Sequence, residues 1–192
     1  MSVWAVMMVK DEADVLAGTL AHLASEGVEG FVIADNASTD GTAEIIDRFA
    51  ECFAGEVIAF EDPEVAYRQS EKMTALARVA HDQGATWVVP CDADELWGAP
   101  CPLADRLGSQ PPRVVAVGAA MWNHFPTALD PDGDPFTSIG WRMIDPNPLD
   151  KVAVRWTPGM VIDQGNHSVS RDGRPIPGVG AGLNIRHFPY RS

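Results

Sequence analysis

The chain has 192 residues, 46% hydrophobic and 21% charged, a balance that suits one globular domain and excludes disordered, collagen-like and coiled-coil classes. Its 27 acidic and 14 basic residues give a formal charge of −13, so its surface repels nucleic-acid phosphates and anionic lipid unless a cation intervenes. Cys52, Cys91 and Cys101 are odd in number and lack CxxC spacing, which points away from a disulfide framework or zinc site and towards a reducing, cytoplasmic compartment.

In chain order, the apolar run Val3 to Val9 comes first. It is too short to span a bilayer, has no basic leader and runs into Lys10-Asp11-Glu12, so it reads as a buried strand and no transmembrane segment is expected. From about Asp11 to Glu26, Leu16, Leu20, Leu23 and Ala24 recur on one helical face, and Gly27 follows as a stop. Phe31 to Ala34 is the second strand. Asp40 can cap a helix that turns Ile45, Ile46 and Phe49 inward, and Glu56 to Phe60 is the third strand. Met73, Leu76, Ala77 and Ala80 mark a third helix ahead of Gly84, and Thr86 to Cys91 closes the series. Such alternation predicts an α/β fold with a doubly wound, mostly parallel sheet, whose right-handed crossovers gather the polar strand ends at one edge.

Past Gly98 the texture changes to mixed strands and loops. Val114 to Trp122, Val152 to Trp156 and Leu183 to Ile185 look like strands. The stretch from Phe125 to Asp150 holds Pro126, Pro131, Pro135, Pro146 and Pro148 and reads as a long loop of the sort that carries binding function. No linker divides the halves, so residues 1–192 are expected to form one domain, with 1–98 as its first half and 99–192 as its second. The chain stops directly after a strand-like run, as a C-terminally truncated chain would.

Two motifs could carry chemistry. Asp92-Ala93-Asp94-Glu95 lies where the fourth strand runs out. Alternation in an extended chain would turn Asp92 and Asp94 to one face, where hard oxygen donors suit Mg2+ or Mn2+; the plain alternative is a solvated acidic turn. The second is Asp35-Asn36-Ala37-Ser38-Thr39-Asp40-Gly41-Thr42, between a strand and its helix, with Asp35 placed to accept from a base or ribose and Asp40 able to act simply as a cap. No GxGxxG or Walker glycine loop is present.

With Val9-Lys10-Asp11-Glu12 before them, these motifs resemble glycosyltransferase family 2 enzymes of the GT-A fold over about residues 1–98. Asp-Ala-Asp-Glu-Leu-Trp, Gly165-Asn166-His167-Ser168-Val169 and the closing His187-Phe188-Pro189-Tyr190-Arg191-Ser192 are similar to a bacterial branch of that family. The resemblance implies a nucleotide-sugar-binding half, 1–98, and an acceptor-side half, 99–192. It implies that Glu12 and Asp35 line the nucleotide pocket with Asp40 near it, that Arg68 and Lys72 approach the diphosphate, and that Asp92 and Asp94 hold the metal. For Arg68 and Lys72 a solvated helix face is the alternative. A late histidine often joins the metal in GT-A enzymes; His187 is placed for it, with His167 as the other choice. The family's catalytic base is not recognisable here, and Asp163 and His167 are the two candidates.

The implied reaction is metal-dependent transfer of a sugar, of hexosyltransferase type, from a nucleoside diphosphate sugar to an acceptor hydroxyl, with inversion. Trp97, Trp122 and Trp141 are open to stacking on sugar or to core packing, whereas Trp4, Trp87 and Trp156 sit in apolar strand patterns. A nucleotidyltransferase is disfavoured because Lys10-Asp11-Glu12-Ala13-Asp14 stands where a glycine-rich basic loop belongs. A non-catalytic nucleotide- or sugar-binding module of a larger transferase is the reading from another class.

Overall fold

The computed structural model describes residues 1–64, 66 and 68–190; Arg191 and Ser192 of the closing motif lie outside the described residues. The first half alternates as its pattern predicts: β1 Val3–Val9, α1 Leu16–Ser25, β2 Gly30–Asp35, α2 Thr42–Cys52, β3 Glu56–Glu61, α3 Gln69–Asp82 and β4 Trp87–Pro90. The second half comprises β5 Glu95–Gly98, α4 Leu103–Gly108, β6 Ala116–Phe125, α5 Pro135–Ser138, β7 Trp141–Arg142, β8 Lys151–Val154 and β9 Met160–Ile162. A 3-10 turn at Gln164–Asn166 then leads to β10 Val169–Arg171, β11 Arg174–Ile176 and β12 Val179–His187.

Among the described residues a nine-stranded sheet runs β3-β2-β1-β4-β8-β6-β12-β5, with β7 paired to β6, and β11-β10-β9 form a smaller sheet. The β3-β2-β1-β4 portion is parallel, as an alternating βα pattern requires. Strand alternation divides the core into two layers. Ala5, Met7, Phe31 and Ile33 pack with Leu16, Leu20 and Leu23 of α1 and with Leu103 and Leu107 of α4. Trp4, Val6, Val32 and Val88 pack with Met73, Leu76, Ala77 and Ala80 of α3, and Met160, Ile162 and Val169 of the smaller sheet join them. Each fully buried Leu contributes about 1.5–3 kcal/mol.

Helix α1 begins at Leu16, not near Asp11. Asp11 takes a positive φ of 52°, and its N–H and carboxylate bind Ser38 and Thr39 of the β2–α2 loop, so residues 11–15 fold onto that loop instead of coiling. Gly27 ends α1 with φ 87° and Gly84 follows α3 with φ 97°, conformations in which a Cβ is strained. The expected loop from Phe125 to Asp150 holds two short elements, α5 and β7. Trp4, Trp87 and Trp156 are core residues, and so is Trp97, at 0% exposure. No helix of the described residues is long and apolar enough to cross a membrane.

Candidate active site

Strand directions bring the polar ends together. Strands β1, β2 and β4 are parallel, β8 lies antiparallel between β4 and β6, and β6 is parallel to β12, so β1, β2, β4, β6 and β12 end at one edge. The antiparallel strands β8 and β5 place their first residues there too: Lys151, and Glu95 opposite His187. A cavity of about 320 Å³ opens at this edge, and its polar lining is Lys10, Glu12, Asn36, Gln69, Asp92, Asp94 and His187.

Asp92 to Glu95 is a tight turn, closed by the Glu95 N–H donating to the Asp92 carbonyl at 3.2 Å, so turn geometry rather than extended alternation brings Asp92 and Asp94 to one cavity. Helix α1 holds the turn from below. Buried Thr19 donates its hydroxyl to the Ala93 carbonyl, and His22 donates Nε2–H to the Trp97 carbonyl at 2.6 Å.

Asp92 is the hub. Its Oδ2 accepts from Lys151 Nζ at 2.6 Å, and its Oδ1 from Asn166 Nδ2 at 3.2 Å and Gln69 Nε2 at 3.4 Å. Lys151 also meets Glu95 Oε1 at 2.8 Å, with side-chain exposures of 5% and 0%. Burial disfavours the Lys151 charge, but the Glu95 and Asp92 carboxylates outweigh it and hold the ammonium above the ordinary lysine range. Burial and the Asp92 charge push Glu95 above the usual carboxylate range, against the opposing pull of Lys151. The Glu95 carboxylate also accepts from the Asp92 N–H and the Trp97 indole, each at 3.2 Å.

His187 closes the far side. Its Nδ1–H donates to Asn123 Oδ1 at 2.8 Å, which turns Nε2 towards Asp94 Oδ2 at 3.5 Å. Burial lowers the imidazole's basicity, while contact with Asp94 and the Glu95 charge more than offset this, leaving it more basic than an ordinary histidine. A carboxylate oxygen facing an imidazole nitrogen calls for a proton or a cation between them, and a mixed oxygen–nitrogen pair suits Mn2+ better than Mg2+, which prefers all-oxygen ligands. Asp92 stands beside the pair but is turned onto Lys151, and among the described residues no three His, Cys, Asp or Glu side chains are grouped to hold a metal.

The other expected residues lie outside this cavity. Asp35 follows Ile33 on the α2 face of β2, accepts from Ser38 N–H and Oγ at 3.1 and 2.5 Å, and lines neighbouring grooves; Asn36 takes its place in the cavity. Asp40 ties the start of α2, accepting from Thr42 N–H and Oγ1, to the Ala13 N–H. The Lys72 ammonium is bound to Asp62 at 2.5 Å and to the Glu64 carbonyl at 2.8 Å, and exposed Arg68 pairs with Glu71. Asp163 accepts from Ser168 and Ser170, and His167 contacts the Asp150 carbonyl through Nδ1 at 3.0 Å; neither lines the cavity.

The sequence model of the family described as "Glycosyl transferase family 2" matches residues 4–152. The chain belongs to that family. Among solved structures, S. aureus TarS 1-349 in complex with UDP is 14% identical with a TM-score of 0.51, covering 71% of this chain and 40% of that one. Its complex with UDP-GlcNAc is 13% identical with the same TM-score, covering 71% and 38%. Glucosyl-3-phosphoglycerate synthase from Mycobacterium tuberculosis, in complex with Mn2+, UDP and glucosyl-3-phosphoglycerate, is 21% identical with a TM-score of 0.42, covering 62% and 44%. The TarS likeness concerns the fold, which is of the GT-A kind, and this family 2 chain spans less than half the length of each of these chains. No curated protein matched it.

Lys151, Gln69, Asn166 and Lys10 were not expected in these roles. Lys151 and Gln69 arrive from β8 and α3 through tertiary packing. Asn166 has φ 60°, and its place in the Gly-Asn-His motif was the available signal. Lys10 donates to the Asn36 and Ala37 carbonyls at 3.0 and 3.4 Å, meets no carboxylate partner among the described residues, and follows β1 directly.

Proposed function

We propose that this chain carries the donor-binding and catalytic part of a glycosyltransferase, which moves a sugar from a nucleoside diphosphate sugar to an acceptor hydroxyl, with a divalent cation and with inversion. The reading rests on one observation above the others. The acidic turn, His187 and the Lys10–Asn36 rim line a single cavity at the strand-end edge, the place where open α/β sheets bind nucleotides. TarS, of like fold, carries UDP and UDP-GlcNAc in its complexes, which makes UDP the first nucleotide to try.

Asp94 and His187 would hold the cation, with Asp92 beside them, and when bound it would supply neutralisation of charge on the leaving diphosphate. The chain's own residues prepare that site. Lys151, Gln69 and Asn166 fix the Asp92 carboxylate, Asn123 sets the His187 tautomer, and Lys10 places an ammonium at the rim for a phosphate oxygen. Because those groups are already oriented, little reorganisation is left for the moment of transfer.

Calorimetry with UDP and Mn2+ tests the reading. Asp94→Asn is expected to weaken Mn2+-dependent UDP binding by about tenfold or more, as loss of one charged ligand implies. An affinity equal to that of the parent chain would reject the site. Release of UDP from UDP-sugars in the presence of Mn2+ separates an enzyme from a pure binding module.

A further inference from the structure

A second cleft lies behind the His187 face of the sheet. The register of β6 on β12 sets Asn123 beside His187 and Trp122 beside Arg186, and alternation sends those two pairs to opposite faces. On the Arg186 side an open cleft of about 510 Å³ is lined by Trp122, His124, Arg142, Asn184 and Arg186, with Gly140 and Ile185 completing it. No Asp or Glu lines it, in a chain where acidic residues outnumber basic ones by 27 to 14.

Its cations are held in place by neutral groups. Arg186 donates to the Phe136 carbonyl at 3.0 Å and lies over the Phe188 ring at 5.0 Å, while Arg142 lies over the Trp122 ring at 5.4 Å. Among the described residues neither guanidinium pairs with a carboxylate. A guanidinium offers five N–H donors in a planar fork, so most of theirs remain for a ligand. His124, only 5% exposed, stacks on Phe188 at 4.5 Å, and neither ring nitrogen makes a hydrogen bond of ordinary geometry, although the Ile139 carbonyl lies near. A buried ring without partners costs stability unless something else satisfies it.

We propose that this cleft is a second binding site, separate from the donor cavity, for a carboxylate or phosphate group on a saccharide-sized ligand. Arg142 and Arg186 take the oxyanion, His124 and Asn184 add polar contacts, and Trp122 offers the apolar surface that a sugar ring meets.

Titration calorimetry at fixed ionic strength tests it, using inorganic phosphate, glucuronate and uncharged glucose on the whole chain and on Arg142→Gln, Arg186→Gln and the double variant. Phosphate, glucuronate or both should bind with millimolar affinity, weakened about tenfold or more in the double variant, while glucose gives no heat. Glucuronate binding with phosphate silent assigns a sugar carboxylate, and the reverse assigns a phosphate. Affinity for UDP with Mn2+ should stay within about twofold of the parent, because the donor cavity lies across the sheet. Arg142 is exposed on a two-residue strand, so its variant retains the fold even where Arg186→Gln disturbs β12. Silence of both anions up to about 50 mM, or binding that survives both substitutions, overturns the site.

Discussion

Removing the buried Lys151 leaves Asp92 and Glu95 without the cation they share. The lysine side chain is 5% exposed and Glu95 0%, so water cannot replace the lost ammonium. Breaking a buried pair of this kind costs about 3–5 kcal/mol, which for a chain of this length lowers Tm by about 6–20 °C. Lys151→Met should show that loss in a thermal melt, and Lys151→Met with Glu95→Gln should recover part of it, because the amide needs no counter-charge while still accepting from the Trp97 indole. An unchanged melting point in the single variant would mean that the three groups do not form a buried ionic cluster. Lys10 differs, since among the described residues its ammonium is bound only to carbonyls. Lys10→Met should leave the melting point within about 1–2 °C and weaken UDP binding several-fold by calorimetry, as loss of one phosphate contact implies.

At the scale of elements, α1 anchors the acidic turn through the Thr19 hydroxyl. Thr19→Val keeps the shape but orphans the buried Ala93 carbonyl at a cost of about 1–3 kcal/mol, and it should lower Mn2+ affinity along with stability; a stability loss without any change in the Mn2+ titration would detach α1 from the site. Between β3 and α3, Asp62 binds Lys72. Burial would raise that carboxyl, but hydrogen bonds from Lys72, the Glu64 N–H and Asn36, with the Lys72 charge, hold it below the ordinary value. A carboxyl lowered in the folded state adds stability above its unfolded pKa and loses it as pH falls through the folded one. Asp62→Asn should therefore melt about 2–4 °C below the parent at pH 7, with the gap closing in strong acid. The alternating half was legible because each strand and helix there is a local pattern: Leu16, Leu20 and Leu23 declare α1, and Met73, Leu76 and Ala77 declare α3. The acidic turn and His187 were legible as motifs. Lys151 was not, since its role depends on β8 inserting antiparallel between β4 and β6, a pairing distant in sequence. Nor was the turn of Asp35 away from the cavity, set by strand parity and by the Ser38 hydroxyl.

For the molecule as a whole, a net charge of −13 sets the terms on which an anionic donor arrives. At a range beyond the first contacts, UDP meets a repulsive field, and Lys10 attracts it only within the cavity mouth. Salt screens the long-range part over about 10 Å at 0.1 M and leaves close, partly buried contacts less affected. The association rate of UDP without metal should therefore rise between about 20 and 150 mM salt, opposite to the fall seen where a cationic surface steers an anion. With Mn2+ present the rise should flatten, because the approaching nucleotide carries less net charge. Stopped-flow measurements over that range check both slopes. A metal-free rate that falls with salt would show that cations at the edge, Lys10 foremost, govern the approach more than the acidic surface does.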